Sequence, residues 1–574
     1  MNYLGAYHAD YLRSYRNACD APCTSKGRMM LCARSTVSEG DCVSMAEGRI
    51  RNRRELAERI GCLAGVSTAG LILRAYMKWG DDYPKYIEGP VVTCIMDAGR
   101  DKMIVTRDRM GEKPLFYSML HGGTIFADHP DSLLKTASAD AVVDINGLRE
   151  LFGMGPARTP GCTYFRDIKA LEPGCTLYAE GDSAIVRRYF SIEDAPHGDN
   201  EAQTIEHTRS LLEKAVDDIM ESNPAVMLSG GLDSTALTAL ISARQGRLLS
   251  FSVDYRGNDR DFSANAFRPE MDAPYIETAV RTYRTQHRTV ILEQADLAKA
   301  LGKAVSLRGF PGMADIDSSL FLFAAQISRY SRTVVSGECG DEVFCGYPWF
   351  SNEAPLPEDA FPWSGSMALR QSLLKDDIRE KLRLKEYVSD TYRSRIAMYE
   401  PGFACAPVER RMRIMQKMCF DYFMPNLQER AVCMCEGAGV SVLTPLCDDR
   451  LVRYIYNVPV EMKFMGGFEK GLFRAAVKDI LPKDLLERKK SPYPKTCSPV
   501  YGEIIRRLAL NMAADTDAPI FELVDRNAVM RIARSDLDPV ETPWYGQLMA
   551  GAQLLGFLIQ INTWMRDRNI TVRL

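Results

Sequence analysis

Apolar residues recur at helical spacing in RIRNRRELAERIGC, from Arg49, and in STAGLILRAYMKWG, from Ser67, which predicts two amphipathic helices. The period then changes. VVTCIMD, KMIVTRD, PLFYSML and GTIFAD alternate apolar and polar groups between Gly or Asp turns, as antiparallel strands do. Helices followed by hairpins imply a layered α/β or α+β domain running to about Phe190. The polar run EDAPHGDNEAQTIEH, from Glu193, reads as a linker.

Beyond it, strands and helices alternate. The spacing predicts a helix over 206–221, a strand over 225–228 and a helix over 235–244, then strands in LLSFSVDY, HRTVIL and SRTVVSG. Helix-length segments separate these strands, so they predict a parallel sheet with right-handed crossovers. After about Ser364 the chain turns mainly helical, MRIMQKMCFDYFM and LVRYIYNVPVEM being the clearest stretches. Periodic Met and aromatic residues there read as core packed on the sheet.

At 574 residues the chain exceeds one hydrophobic core and predicts two to four domains. With 72 basic against 75 acidic residues the net charge is -3, leaving no electrostatic footprint for nucleic acid or an anionic membrane. MNYLGAYHADYLRSYR is too charged for a signal peptide, and LLGFLIQI is too short to span a bilayer, so cytoplasmic residence is expected. The 16 Cys are scattered and all six His lie at or before His287, which argues against structural zinc and for reduced, mostly buried thiols.

Three stretches carry candidate chemistry. LSGGLDST, Leu228 to Thr235, places adjacent glycines between a strand and a helix, so that backbone N–H groups and a helix N-terminus converge as a phosphate nest, with Ser229 and Ser234 adding hydroxyls. It lacks the Lys of a Walker A loop and the spacing of a dinucleotide fingerprint, and a plain tight turn at Gly230 and Gly231 is the alternative. SGECGDEVFCGYPWF follows the fourth strand with Glu338, Asp341 and Glu342, any one of which could hold Mg²⁺ or simply cap a helix. EKGLFRAAVKDILP puts Lys470 and Arg474 on one helical face, and ERKKSPYPKT adds Arg488, Lys489, Lys490 and Lys495; they suit either phosphate neutralisation or a solvated basic face.

Taken in order, SGGLDS, SGECGDEVFCGY, the Lys470 segment and RKKSPYPKT, together with RDRMGEKPLFY, IFAD and GCTYFRDIKALEPG, make the chain resemble the asparagine synthetase family. The resemblance implies an N-terminal-nucleophile-hydrolase-like sandwich over 1–192 and an ATP-pyrophosphatase-type parallel α/β synthetase domain, with a helical C-terminal part, over 203–574. It also implies ATP and Mg²⁺ as cofactors, a carboxylate activated as its adenylate, and attack by an amine. Carried over by position, Ser229, Gly230, Gly231, Asp233, Ser234 and Gly337 hold pyrophosphate, and Leu228, Ser250, Phe251 and Ser252 flank adenosine. Asp233 and Asp341 are the metal candidates. Glu338 lies nearest the intermediate, Lys470 stabilises phosphate charge, and Tyr347 could partner an acid in deprotonating the amine.

The departures from the family pattern are equally informative. Residue 2 is Asn where a glutaminase carries its nucleophilic Cys, and Cys19 is too far along to replace it. The family's Asn-Gly-Glu appears as Glu47, Gly48 and Arg49, and its Ser-Asp-Thr-Glu as Ser67, Thr68, Ala69 and Gly70, leaving Arg34 as the lone surviving arginine. A degenerate amidotransferase domain follows. In AVCMCEGAGVSVLTPLCDDR, Cys433, Ser441 and Leu443 stand where the family has Arg, Glu and Arg, which points away from aspartate as substrate. Relatives without the cysteine include β-lactam synthetases and lasso-peptide cyclases, whose attacking amine belongs to the substrate. The expected reaction is ATP-dependent amide formation on a small-molecule or peptide carboxylate, with an ammonia-supplying or precursor-peptide partner conceivable. The alternatives are an ammonia-dependent asparagine synthetase and a silent nucleotide-binding scaffold.

Overall fold

The computed structural model describes residues 3–7, 21–63, 65–120, 123–136, 139–181, 183–264, 270–351, 356–535 and 543–574. The chain divides into two compact units. One comprises 1–150, 158–193 and 570–574; the other comprises 151–157 and 194–569.

In the first unit the alternating segments become strands, all but β10 in two antiparallel sheets: β1 (Tyr3–Tyr7), β2 (Cys23–Lys26), β3 (Met29–Ala33), β4 (Thr36–Glu39), β5 (Cys42–Gly48), β6 (Val91–Asp97), β7 (Lys102–Thr106), β8 (Phe116–Leu120), β9 (Gly123–Ala127), β10 (Val142–Asp144), β11 (Lys169–Ala170), β12 (Cys175–Glu180) and β13 (Ser183–Arg188). The sheet orders are β11-β8-β9-β1-β3-β2 and β13-β12-β7-β6-β5-β4, and β10 pairs in parallel with Thr571–Arg573. Strand β6 shows why this unit folds in layers. Val92, Cys94 and Met96 enter the core between the sheets with Tyr3, Leu31 and Val105, while Val91 and Ile95 face the helices Arg53–Ile60 and Thr68–Trp79. Cys23 and Cys32 form a disulfide across β2 and β3, against the expectation of reduced thiols; the register that sets them opposite each other decides this.

The second unit is built on a parallel sheet of β14 (Ala225–Met227), β15 (Leu249–Tyr255), β16 (Gln286–Leu292), β17 (Thr333–Val335) and β18 (Ser441–Leu443), in the order β16-β15-β14-β17-β18. Four of these strands match the alternation of the sequence. The fifth, β18, lies in the region read as helical: three residues are too short to show a period. The helix expected over 206–221 runs from Glu201 to Asp217, because Asn200 and Gln203 form a reciprocal capping box upstream. The polar run before it is docked rather than free, since the Asp194 carboxylate accepts from Lys417 at 2.8 Å and Arg413 at 3.2 Å.

After β14 the chain moves outward through β15 and β16, then returns to place β17 on the other side of β14. Val226 pairs with Ser250 on one side and with Val335 on the other. Crossovers reverse direction there, so the loops leaving β14 and β17 start side by side at the carboxyl ends of adjacent strands.

Candidate active site

The loop after β14 carries Ser229 to Ser234 into the helix Leu232–Ser242, with Gly231 as its N-cap. Ser234 Oγ accepts from the Ser229 N–H at 3.1 Å and lies 3.0 Å from Ser229 Oγ, closing the loop on itself and leaving the helix N-terminus open. Gly230 has φ +70°, a conformation glycine adopts without strain, and its α-carbon side faces Tyr275 and Arg488. Arg488, paired with Asp272 and lying over the Tyr275 ring at 4.2 Å, donates to the Ser229 carbonyl at 3.3 Å and fixes the loop from behind.

The loop after β17 brings Glu338, Asp341 and Glu342 to the same place. Lys470 joins the two loops: its Nζ lies 2.5 Å from Asp233 Oδ2 and 2.6 Å from Asp341 Oδ1, and Lys490 pairs with Asp341 as well. The sequence placed Lys470 and Arg474 together on a helical face, but the helix starts at Gly471 and Lys470 precedes it with φ +56°. Arg474 holds this turn by donating to the Glu469 carbonyl and to Glu469 Oε1, both at 2.9 Å, so it shapes the site without entering the charge cluster. Left-handed φ values at the non-glycine residues Cys339 (+75°), Cys345 (+59°) and Lys470 mark strain of about 1–3 kcal/mol each, concentrated at these loops. Two glycines make room for the acids. A Cβ at Gly346 would lie 2.2 Å from Asp341 Oδ1, and one at Gly340 would lie 2.7 Å from Asp233 Cγ.

The charges are unequal. Burial alone would raise the Asp341 carboxyl, but Lys470 and Lys490 outweigh it and hold the group at about 2. Asp233 makes no ion pair with Lys490, and burial together with repulsion from Asp341 outweighs the two lysines and pushes it upward. Lys470 remains a firm cation, because the two aspartates overcome its burial. Glu342 is fully buried, and burial plus the nearby Asp341 charge lift it to about 8; it accepts a hydrogen bond from Tyr347 Oη at 2.8 Å. Glu338 instead pairs with Arg430, which lies over the Tyr493 ring at 5.1 Å.

These groups wall one cavity of about 210 Å³. Leu228, Ser229, Gly231, Asp233, Ser234, Phe251, Ser252, Gly337, Glu338, Asp341, Tyr347 and Lys470 all line it, as the sequence reading placed them. Gly230 and Ser250 stand behind the wall. Ser250 Oγ bonds Thr285 at 2.7 Å and His287 Nδ1 at 2.8 Å, so its hydroxyl serves the sheet. The sequence missed Arg430, Tyr493 and the apolar residues Met313, Phe423, Leu427 and Leu548. Only the position of Arg430, three residues before Cys433 in the stretch compared with the family's acceptor segment, offered a signal.

Asp233 Oδ1 is buried and accepts no hydrogen bond among the described residues. A lone buried carboxylate oxygen beside a second carboxylate fits Mg²⁺, which binds through one or two acids and takes its other ligands from phosphate and water. No group of three or more His, Cys, Asp and Glu side chains forms a self-sufficient metal cluster among the described residues, so phosphate oxygens would have to complete such a site.

In the first unit the positions that the sequence aligns with a glutamine site mostly take part in the packing of the sheet and the helix start. Arg34 is exposed. Gly48 has φ +119° with the Pro90 carbonyl against it, and the Arg49 N–H donates to that carbonyl at 2.9 Å. Glu47 pairs with Val92 in the sheet. Ala69 is buried and its carbonyl accepts from Ser44 Oγ at 2.6 Å, while the Gly70 N–H is capped by Ser67 Oγ at 3.1 Å. Asn2 and Cys19 lie outside the described residues.

The glutamine amidotransferase domain family matches residues 37–190, which fits the layered sandwich of the first unit, and the asparagine synthase family matches residues 207–566. "Asparagine synthetase [glutamine-hydrolyzing] 3" of Bacillus subtilis (strain 168) is 37% identical over 527 residues, 91% of this chain and 86% of that protein. "Asparagine synthetase [glutamine-hydrolyzing] 1" of the same organism is 22% identical, covering 78% of this chain and 74% of its own length. The "Asparagine synthetase [glutamine-hydrolyzing]" of Gallus gallus is 20% identical, with 78% and 70% covered. Two loops of adjacent parallel strands bridged by one lysine, with these matches spanning both units, place the chain in the asparagine synthetase family, as a carbon–nitrogen ligase.

Proposed function

We propose that the second unit joins a carboxylate to an amine through an acyl-adenylate, using ATP and Mg²⁺, and that the first unit no longer hydrolyses glutamine. The observation that carries this reading is the bridge Asp233–Lys470–Asp341 beside the open helix N-terminus at Gly231. In the first step a substrate carboxylate oxygen attacks the α-phosphorus and pyrophosphate leaves. In the second, the amine nitrogen attacks the acyl carbon and AMP leaves.

Ser229, Gly231 and Ser234 receive the departing pyrophosphate with N–H and hydroxyl donors, and Gly337 borders it. Leu228, Phe251 and Ser252 flank the adenosine. Asp233 and Asp341 would hold Mg²⁺, which neutralises phosphate charge when bound. Lys470 keeps its proton and offsets negative charge building on the phosphates. Arg430 pairs with Glu338 and fixes the position of its carboxylate beside the reacting carboxyl. Tyr347 takes the amine proton as it hands its own to Glu342, whose carboxyl near pKa 8 is matched to an amine donor.

The loss of glutaminase activity rests on Asn2 in place of the nucleophilic Cys and on Thr68 and Gly70, which supply no acid where the family has Asp and Glu. The amine then comes from the substrate itself, from free ammonia or from a supplying partner. Among the described residues no helix is long and apolar enough to cross a membrane, and a cytoplasmic setting, with its ATP and Mg²⁺, suits the reaction. A second reading is ammonia-dependent asparagine synthesis; the relative at 37% identity, named as a glutamine-hydrolyzing asparagine synthetase, favours its product. Exchange of labelled pyrophosphate into ATP, run over a panel of carboxylic acids, tests the proposal. Carboxylate-dependent exchange is expected. ATP binding with no exchange under any acid would leave a silent scaffold, and asparagine from aspartate and ammonium would establish the second reading.

A further inference from the structure

Away from the charge cluster the cavity changes character. Met313, Phe423, Leu427 and Leu548, each nine-tenths or more buried, line it together with Gly546 and Tyr347. Phe423 joins the lining on two sides: the Tyr347 and Phe423 rings meet edge-on at 5.3 Å, and a Cβ on Gly546 would lie 3.7 Å from Phe423 Cζ. Asn426, behind the wall, is occupied by the Tyr545 hydroxyl at 3.1 Å and the Met313 sulfur at 3.8 Å.

Five of the six cations that line the cavity have carboxylate partners: Arg430 with Glu338, Lys470 with Asp233 and Asp341, Lys490 with Asp341, Arg488 with Asp272 and Arg474 with Glu469. The sixth, Lys489, is exposed and makes no ion pair among the described residues. Resting on the adenylation reading above, we infer that the activated acid is an apolar monocarboxylic acid, aliphatic or aromatic, whose hydrocarbon part seats against Phe423, Leu427 and Leu548. L-Aspartate brings an ammonium and a second carboxylate besides the one activated. Seating them against this lining would bury two charges against hydrocarbon, or break the Arg430–Glu338 pair to satisfy one and strand the other, since the unpaired Lys489 is exposed to water. A hydrocarbon chain incurs neither cost and fills the space that dispersion and burial favour.

The test uses the full chain with ATP, Mg²⁺ and labelled pyrophosphate, and compares hexanoate, 3-phenylpropanoate, acetate and L-aspartate. Exchange with 3-phenylpropanoate or hexanoate should exceed that with L-aspartate by about 10²-fold or more in kcat/KM, because a site rejects a substrate whose charges it cannot pair. Acetate, which carries no hydrocarbon to seat, should fall between them. Phe423→Ala and, independently, Leu548→Ala should raise KM for 3-phenylpropanoate about tenfold with KM for ATP unchanged; a merely structural role would move both. Exchange with L-aspartate equal to or above that with the apolar acids overturns this inference and leaves the adenylation reading standing. Exchange with no acid at all overturns both.

Discussion

The two units treat the same problem, a loop beside a sheet, in opposite ways. Around Gly48 and Gly70 the first unit fills its space with packing: a carbonyl against a positive-φ glycine, a capped helix start and the methyl of Ala69 in the core. Around Gly340 and Gly346 the second unit has kept the space open, and carboxylates and a lysine occupy it at the cost of left-handed residues in three places. A glycine can thus mark either a finished structure or a working site. What separates the two cases is whether the freed volume holds charge.

That contrast breaks hardest at the acids. Asp341→Asn removes the carboxylate shared by Lys470 and Lys490 and a metal candidate, and exchange of pyrophosphate into ATP should fall about 10³-fold or further, with circular dichroism unchanged. Lys470→Met leaves Asp233 and Asp341 buried and facing each other. Exchange should drop about 10²–10³-fold and thermal unfolding should come at lower temperature, since stripping one partner from a buried ion pair costs about 3–5 kcal/mol. Retention of normal exchange in either variant would place the chemistry elsewhere.

A smaller effect sharpens the role of Glu342. Its carboxyl stays protonated up to about pH 8 and accepts a proton only when ionised, so amide formation should rise about tenfold from pH 7 to pH 9. Glu342→Gln should flatten that rise in product formation. The linkage has the matching sign: the folded state holds this proton to about 8 and an unfolded Glu releases it near its ordinary, lower value, so the group withdraws stability as pH rises between those limits. Differential scanning calorimetry should show the Gln variant gaining on the parent from pH 5 to pH 9.

The least effect is expected in the first unit. Asn2→Cys, measured by glutamate release from glutamine, should leave hydrolysis at background, because Thr68 and Gly70 supply no acid to clamp the substrate. Arg34→Ala should change amide formation by less than about twofold, as an exposed side chain away from packing does. Glutaminase activity restored by Asn2→Cys would show that the first unit still keeps a substrate clamp.

The sequence by itself determined the elements whose period is long enough to read and the loops whose chemistry is local: four strands of the parallel sheet, the alternation that builds the sandwich, SGGLDS, and the acids after β17. It also carried the family through ordered motifs. It left undecided whatever depends on residues distant in the chain meeting in space. The three-residue strand β18, the Cys23–Cys32 crosslink, the turn that puts Lys470 ahead of its helix, the capture of Glu338 by Arg430 and the apolar wall from Met313 to Leu548 have no local signature. Tertiary structure decided them, because register, packing and charge pairing act between side chains far apart in the chain, 237 positions in the case of Lys470 with Asp233. A periodic pattern reports which face a residue turns and is silent about what it meets there.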